Sequence, residues 1–172
     1  LLLQTLQTNR FEIARQTAPE ASFEVASFES AVLPHCHALT AIGEVLNYGS
    51  LDAVRTFFAK AARALEPGGL LLFDIAEAGA CPPHDEVRVG GGDWSVIAIK
   101  ESDGRRLVRR VLTFRKVEGE VRRDEEIHQL ELHDRAAITA ALRTSGFRSR
   151  VYRSYGTRRL PKGHAVYVAT RR

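Results

Sequence analysis

A short polar segment follows an apolar run near residue 40. Gly43, Glu44 and Asn47 come directly after residues 36–42, a run with few charges. Glycine lets a ligand approach the backbone closely, and a carboxylate favours a nearby positive charge. We predict a ligand site here, because ligands bind beyond the carboxyl ends of parallel strands. The alternative is that Gly43 only turns the chain and that Glu44 is a solvated acid.

Two histidines stand beside segments that could face such a site. His128 lies in a charged β-rich stretch and His164 precedes the last apolar run. Either ring could accept a proton near neutral pH, so both are candidate general bases. Tyr48, Trp94 and Glu126 are candidates for shaping a substrate pocket. A lone histidine on a half-buried strand is also commonly a packed or solvated residue.

Several metal-ligating side chains occur in two groups. The groups are His35, Cys36 and His37, and later Cys81 and His84. The first group opens its strand and the second follows the end of a parallel neighbour. A strand of about seven residues at ~3.3 Å each separates them by roughly 20 Å. We therefore expect no metal site.

Composition indicates one globular domain over residues 1–172. The 172 residues are 44% hydrophobic and 27% charged, which is ordinary for such a domain. No apolar run reaches the ~18 residues that span a bilayer, so we expect a cytoplasmic protein without a membrane partner. The net charge of +4 includes mixed runs such as RRDEE. These favour a solvated surface over a nucleic-acid site.

The hydrophobic pattern predicts an α/β fold. We predict a helix at 10–18, a strand at 22–28 and a strand at 36–42 that is covered on both faces. A helix over 51–65 carries an apolar stripe, ends at the Pro-Gly-Gly turn of 67–69 and leads into a buried strand over 70–75. This order predicts a parallel crossover.

A different pattern follows the second buried strand. The segments 94–100, 106–117 and 120–133 are charged and β-rich, and they predict an antiparallel meander inserted over 94–133. Asp134 then precedes a helix at 135–144, which Gly146 ends. Strands at 147–155 and 164–170 close the chain.

These segments together resemble the class I S-adenosylmethionine-dependent methyltransferases. The matching stretches include LPHCHALTAIGEVLNY, FFAKAARALEPGGLLLFDIA, LRTSGF and LPKGHAVYVATRR. The resemblance implies a Rossmann-like sheet of seven strands with helices on both faces, and S-adenosylmethionine as cofactor. It places Ser27 and Phe28 beside the adenine, and Ile42, Gly43 and Glu44 at the methionine end. It implies methyl transfer to a small-molecule acceptor.

The sequence departs from the family at its start. The glycine-rich first loop and the acidic residue that ends the second strand are absent, and the sequence contains no methionine. We therefore expect an N-terminally incomplete sheet that lacks its first βα units, with an apolar edge that an upstream segment or a second copy covers. The alternative function is a catalytically silent, methyltransferase-like remnant that acts as an oligomerisation or binding module.

Overall fold

The computed structural model describes the backbone of residues 8–172 and the side chains of residues 13–172. Three helices are present in this range, α1 (Thr8–Thr17), α2 (Leu51–Ala64) and α3 (Arg135–Thr144), together with a 3₁₀ turn (Val45–Tyr48). The strands, in chain order, are β1 (Cys36–Ala41), β2 (Leu65–Ala76), β3 (His84–Gly91), β4 (Trp94–Ser102), β5 (Arg106–Val117), β6 (Glu120–Glu131), β7 (Phe147–Tyr152), β8 (Ser154–Tyr155), β9 (Arg158–Arg159) and β10 (His164–Arg171).

The main sheet contains four strands in the order β1-β2-β10-β7. β1 and β2 pair in parallel, which confirms the predicted crossover, and β10 runs antiparallel to both β2 and β7. Among the described residues, no strand pairs with the outer edge of β1. The carboxyl ends of β1 and β2 therefore lie side by side, with the amino end of β10 beside them.

Helices α2 and α3 cover one face of this sheet. Val54, Phe57, Phe58 and Ala61 of α2 are buried, which confirms the predicted stripe. The core they build also contains Leu71, Phe73, Ile75, Ile138, Leu142, Phe147 and Tyr167. In this core the rings of Phe73 and Tyr167 stack with their centroids 4.9 Å apart.

Among the described residues, nothing covers the opposite face of the main sheet at β1, which corrects one prediction. The strand at 36–42 was expected to be covered on both faces, yet Ala38 and Thr40 are exposed. Leu70, the partner of Ala38 on β2, is 44% exposed. An uncharged run indicates the capacity for two-sided burial, but burial also requires an element that packs on the second face.

The strand predicted at 22–28 does not form. Residues 22–27 have no regular structure, and 28–30 form a turn. The alternation of Phe23 and Val25 extends over too few residues, and a strand also needs a hydrogen-bonded neighbour, which no described strand provides. The long strand predicted at 147–155 is likewise shortened, because β8 leaves the main sheet to pair with β9.

The meander forms a separate four-stranded antiparallel sheet in the order β3-β4-β5-β6. Sequence patterns predicted its last three strands but missed β3, whose glycines and charges weaken the strand pattern. A small core of Ala76, Leu107, Leu130 and Leu132 joins this sheet to the end of β2. The buried side chain of Asn47 strengthens the junction by donating to the carbonyls of Ala76 and Glu131.

Candidate functional site

The chain makes a sharp turn at the carboxyl end of β1. Gly43 has φ +91° and Glu44 has φ +58°, so both residues adopt left-handed backbone conformations. An Asp74 carboxylate oxygen at the end of β2 accepts hydrogen bonds from both backbone amides, at 2.7 and 3.2 Å. Burial raises the pKa of Asp74, although these two bonds partly oppose it. The turn predicted from sequence is therefore held by the neighbouring strand.

Glu44 lies between two basic side chains that come from distant elements. Arg109 of β5 donates to one of its oxygens at 2.7 Å, and His164 Nε2 lies 2.7 Å from the other. Burial disfavours the charged carboxylate, but the bond to His164 and the charge of Arg109 outweigh it and lower the pKa of Glu44 to about 2. Glu44 is thus an ionised, paired carboxylate.

A second group of hydrogen bonds begins next to Arg109. The Tyr48 hydroxyl lies 2.8 Å from His128 Nδ1, and His128 Nε2 lies 3.1 Å from a Glu126 oxygen. An ionised carboxylate can only accept, so Nε2 donates to Glu126 and Nδ1 accepts from Tyr48 in the neutral ring. Arg109 also approaches the Tyr48 hydroxyl at 3.5 Å. We call Tyr48, His128 and Glu126 the relay.

His164 is arranged differently from His128. Its Nε2 faces the carboxylate of Glu44, and its Nδ1 lies 3.2 Å from the carbonyl oxygen of Lys162. Both neighbours are hydrogen-bond acceptors, and only a ring protonated on both nitrogens donates to both. His164 therefore positions Glu44 in this arrangement, whereas Nδ1 of His128 faces a hydroxyl group that can donate to it.

Three of the predicted cofactor-binding residues have their side chains engaged within the protein. Asn47 is fully buried, and its amide bonds only backbone groups, including the amide of Ala76 at 2.9 Å. Phe28 is buried edge-on against Phe57 in the core. The hydroxyl of Ser27 pairs with that of Ser30 within a turn. None of these three presents a free side chain at the end of β1.

Ile42 and Trp94 are both exposed, but they lie far apart in the structure. Ile42 is 53% exposed beside Gly43, at the carboxyl end of β1. Trp94 is 48% exposed and pairs with Arg115, six positions along β5 from Arg109. That separation is roughly 20 Å at ~3.3 Å per residue. The structure therefore brings Ile42 to the site, but it places Trp94 at the far end of the meander.

Sequence reasoning missed Arg109 and Tyr155 as members of the site. Arg109 is one of several arginines in a charged strand, so only its cross-strand pairing with His128 distinguishes it. The hydroxyl of Tyr155 is buried near Asp74, and burial together with the Asp74 charge raises the pKa of Tyr155. The acidic end of the second buried strand was a usable signal for Asp74.

A cleft of about 920 Å³ opens next to His164. Residues 79–83 form one wall, and the other is formed by Arg153, Ser154 and residues 159–164. A smaller cavity of about 170 Å³ adjoins it and shares Cys81, Lys162 and His164. Burial raises the pKa of the Cys81 thiol.

Two further properties concern residues 13–172 only. No three histidine, cysteine or acidic side chains in this part of the chain are arranged to hold a metal ion. No helix within the described residues is long and apolar enough to cross a membrane.

Comparison with solved structures identifies the fold. A methyltransferase from Clostridium acetobutylicum that depends on S-adenosylmethionine superposes with a TM-score of 0.83 at 12% identity, covering 99% of this chain and 74% of that one. Streptomyces venezuelae DesVI gives 0.80 at 17% identity, with coverage of 99% and 74%. CalS10, an amino pentose methyltransferase from Micromonospora echinaspora solved with S-adenosylmethionine, gives 0.77 at 18% identity, covering 99% and 73%.

Sequence comparison adds nothing to this identification, since no family model and no curated protein matches the chain. The shared architecture nevertheless includes the meander as well as the main sheet. The chain therefore has the Rossmann-like fold of the S-adenosylmethionine-dependent methyltransferases, which confirms the resemblance at the level of the fold.

Proposed function

We propose that this protein binds S-adenosylmethionine and transfers its methyl group to a nitrogen or oxygen atom of a small-molecule acceptor. One observation carries the proposal: in a methyltransferase fold, Arg109 joins the relay to Glu44, which directly follows the exposed Ile42–Gly43 segment at the end of β1. Neighbours of this fold include methyltransferases that act on an amino pentose and on a glycopeptide.

Ile42 and Gly43 are the residues we assign to the cofactor. Ile42 offers an exposed apolar side chain, and a Cβ added at Gly43 would meet no atom within 4 Å, so the backbone is open to a ligand. S-adenosylmethionine supplies an electrophilic methyl group on a positively charged sulfur. Glu44 was predicted to favour that charge, but its carboxylate is already paired with Arg109 and hydrogen-bonded to His164. We assign Glu44 to positioning Arg109.

His128 is the residue that we assign to proton transfer. Its Nδ1 faces the Tyr48 hydroxyl, and Glu126 holds the ring with the proton on Nε2. A proton released by the acceptor passes to Nδ1, either directly or through the Tyr48 hydroxyl. The Arg109 guanidinium stabilises negative charge that develops on that oxygen. The Glu126 carboxylate stabilises the resulting imidazolium, as expected for a carboxylate that orients a general base.

Calorimetric titration with S-adenosylhomocysteine, the demethylated product, tests cofactor binding. The Ile42→Glu variant should bind at least about tenfold more weakly, because it places a charge on the apolar contact. Val32→Glu is the matched control, since Val32 is 75% exposed and lies before β1. Absence of binding to the wild-type chain would contradict the proposal. Binding would justify an acceptor screen with radiolabelled S-adenosylmethionine.

A second candidate function has its own supporting observation. The open face of the main sheet exposes Leu70 and Tyr152, and no described strand covers the outer edge of β1. These features favour a binding or oligomerisation module, with a second copy of the chain as the simplest partner. Sedimentation velocity over a hundredfold concentration range tests this function. A concentration-independent monomer would contradict self-association.

The proposal places the protein in the cytoplasm, where S-adenosylmethionine is made. Cell fractionation with an antibody to the chain would test this location. Recovery in a membrane or secreted fraction would contradict it.

A further inference from the structure

The cleft beside His164 is basic, and the proposed function does not use it. Among the residues that the structure describes, its lining contains the cations Arg153, Arg159 and Lys162 beside His164, and no acidic side chain. In the adjoining cavity Lys100 also contributes, with Asp85 3.7 Å from its ammonium group. The lining of the two cavities is therefore dominated by positive charge.

Two of these cations have no counter-ion among the described residues. Arg159 and Lys162 are exposed, and neither makes an ion pair or a side-chain hydrogen bond within residues 13–172. Arg153 differs, because it binds the buried Glu77 at 2.9 Å and donates to the carbonyl of His164 at 2.8 Å. Arg153 thus holds the wall in place, while Arg159 and Lys162 remain available to a ligand.

The wall also connects the cleft to the site. His164 borders both cavities, and its ring joins Glu44 on one side to the Lys162 carbonyl on the other. Gly163 fits closely against the opposite wall, since a Cβ there would lie 2.7 Å from the Ala80 backbone. A molecule in the cleft therefore lies against the same residue that positions Glu44 and, through it, Arg109.

We propose that this basic cleft binds an anionic group of the methyl acceptor, so that the substrate is a small molecule carrying a phosphate or a carboxylate. That the bound molecule is the methyl acceptor rests on the proposed function. The anion site itself does not depend on that function. Arg159 offers a planar pair of donors and Lys162 a mobile ammonium, which together suit either oxyanion. The anion holds one end of the acceptor in the cleft, and the other end reaches His128 and Tyr48.

Calorimetric titration at low ionic strength tests the cleft with two probes, inorganic pyrophosphate and citrate. The wild-type chain should bind at least one, and the Arg159→Ala/Lys162→Ala double variant should lose about tenfold or more in affinity. Arg158→Ala is the matched control, because Arg158 is an exposed neighbour outside the lining. Tighter binding of pyrophosphate assigns a phosphate group, and tighter binding of citrate assigns a carboxylate.

Parallel titration with S-adenosylhomocysteine separates this inference from the proposed function. The double variant should bind the nucleoside as the wild type does, because the two substitutions lie in the cleft and not beside Ile42. Absence of anion binding in the wild type, or equal losses in the double variant and Arg158→Ala, would overturn the inference and leave cofactor binding standing. Anion binding without nucleoside binding would support the cleft and contradict the methyltransferase proposal.

Discussion

The hydrogen bond between Tyr48 and His128 joins residues that are 80 positions apart in the chain. Replacing His128 by Gln removes the proton acceptor while keeping a polar side chain. We expect kcat to fall by about 100-fold or more, because general base catalysis contributes at least that much. Steady-state kinetics with an acceptor from the screen measures the effect on kcat. Calorimetric titration with S-adenosylhomocysteine measures the effect on cofactor affinity.

His84→Gln is the control for this prediction. His84 is exposed at the start of β3 and does not contact the relay. It should retain the wild-type kcat. If both variants lost activity equally, or if His128→Gln lost nucleoside affinity instead of kcat, the assignment of His128 to proton transfer would be wrong.

Glu44 gives a prediction about pH. Its pKa falls from 4.5 to about 2 on folding. A folded-state pKa below the unfolded one stabilises the protein above pH 4.5, and that contribution is lost as the pH falls toward 2. The free energy of unfolding of Glu44→Gln should therefore approach that of the wild type over this window. The difference between the two free energies of unfolding should shrink by about 2–3 kcal/mol over this pH window.

Urea titrations of both proteins at several pH values between about 6 and 2.5 measure this difference. Other carboxylates titrate over the same range, but they are common to both proteins and cancel in the comparison. A difference that stayed constant across the window, or that widened in acid, would contradict the ion-paired state of Glu44.

At the scale of elements, Gly163 forms the tight turn that leads into β10. It has φ +83°, and a Cβ would lie 2.7 Å from backbone atoms of Ala80 and Cys81. Gly163→Ala therefore adds a clash with rigid backbone to the usual cost of a left-handed conformation. We expect it to lower the free energy of unfolding by about 2–4 kcal/mol. It should also weaken anion binding in the cleft, because the wall moves.

Gly156→Ala isolates the conformational part of that cost. Gly156 has φ +57°, and a Cβ there would meet no atom within 4 Å. Thermal and urea unfolding of the two variants should show a loss of only about 1–2 kcal/mol for Gly156→Ala. Equal losses would mean that the loop of residues 79–81 yields to the added methyl group.

At the scale of the whole molecule, the two sheets differ in how much core they share. β2 and β10 bury most of their side chains, whereas every residue of β3 and β4 remains at least partly exposed. Amide hydrogens of β2 and β10 should therefore exchange about 100-fold or more slowly than those of β3 and β4. Hydrogen exchange followed by mass spectrometry measures this, and uniform protection would contradict it.

Much of the fold was predictable because its signals are local. The apolar stripe of α2 and the apolar runs before and after it each depend on neighbouring residues, although the Pro-Gly-Gly segment predicted as a turn lies inside β2. Failures occurred where a partner decides the outcome. Among the described residues, no strand lies beside residues 22–27 and no element covers the second face of β1.

The sequence by itself determined most of the elements, their parallel crossover, and most of the polar residues that meet at the strand ends, including Glu44, Tyr48 and His128. Only the tertiary structure decided how these residues are used. The pairing of β5 with β6 brings Arg109 beside His128, and packing of the meander on β2 turns Arg109 toward Glu44. The physical reason is that periodicity reports which face a residue occupies, whereas a charge or a proton is controlled by contacts between segments that are 65 or more positions apart.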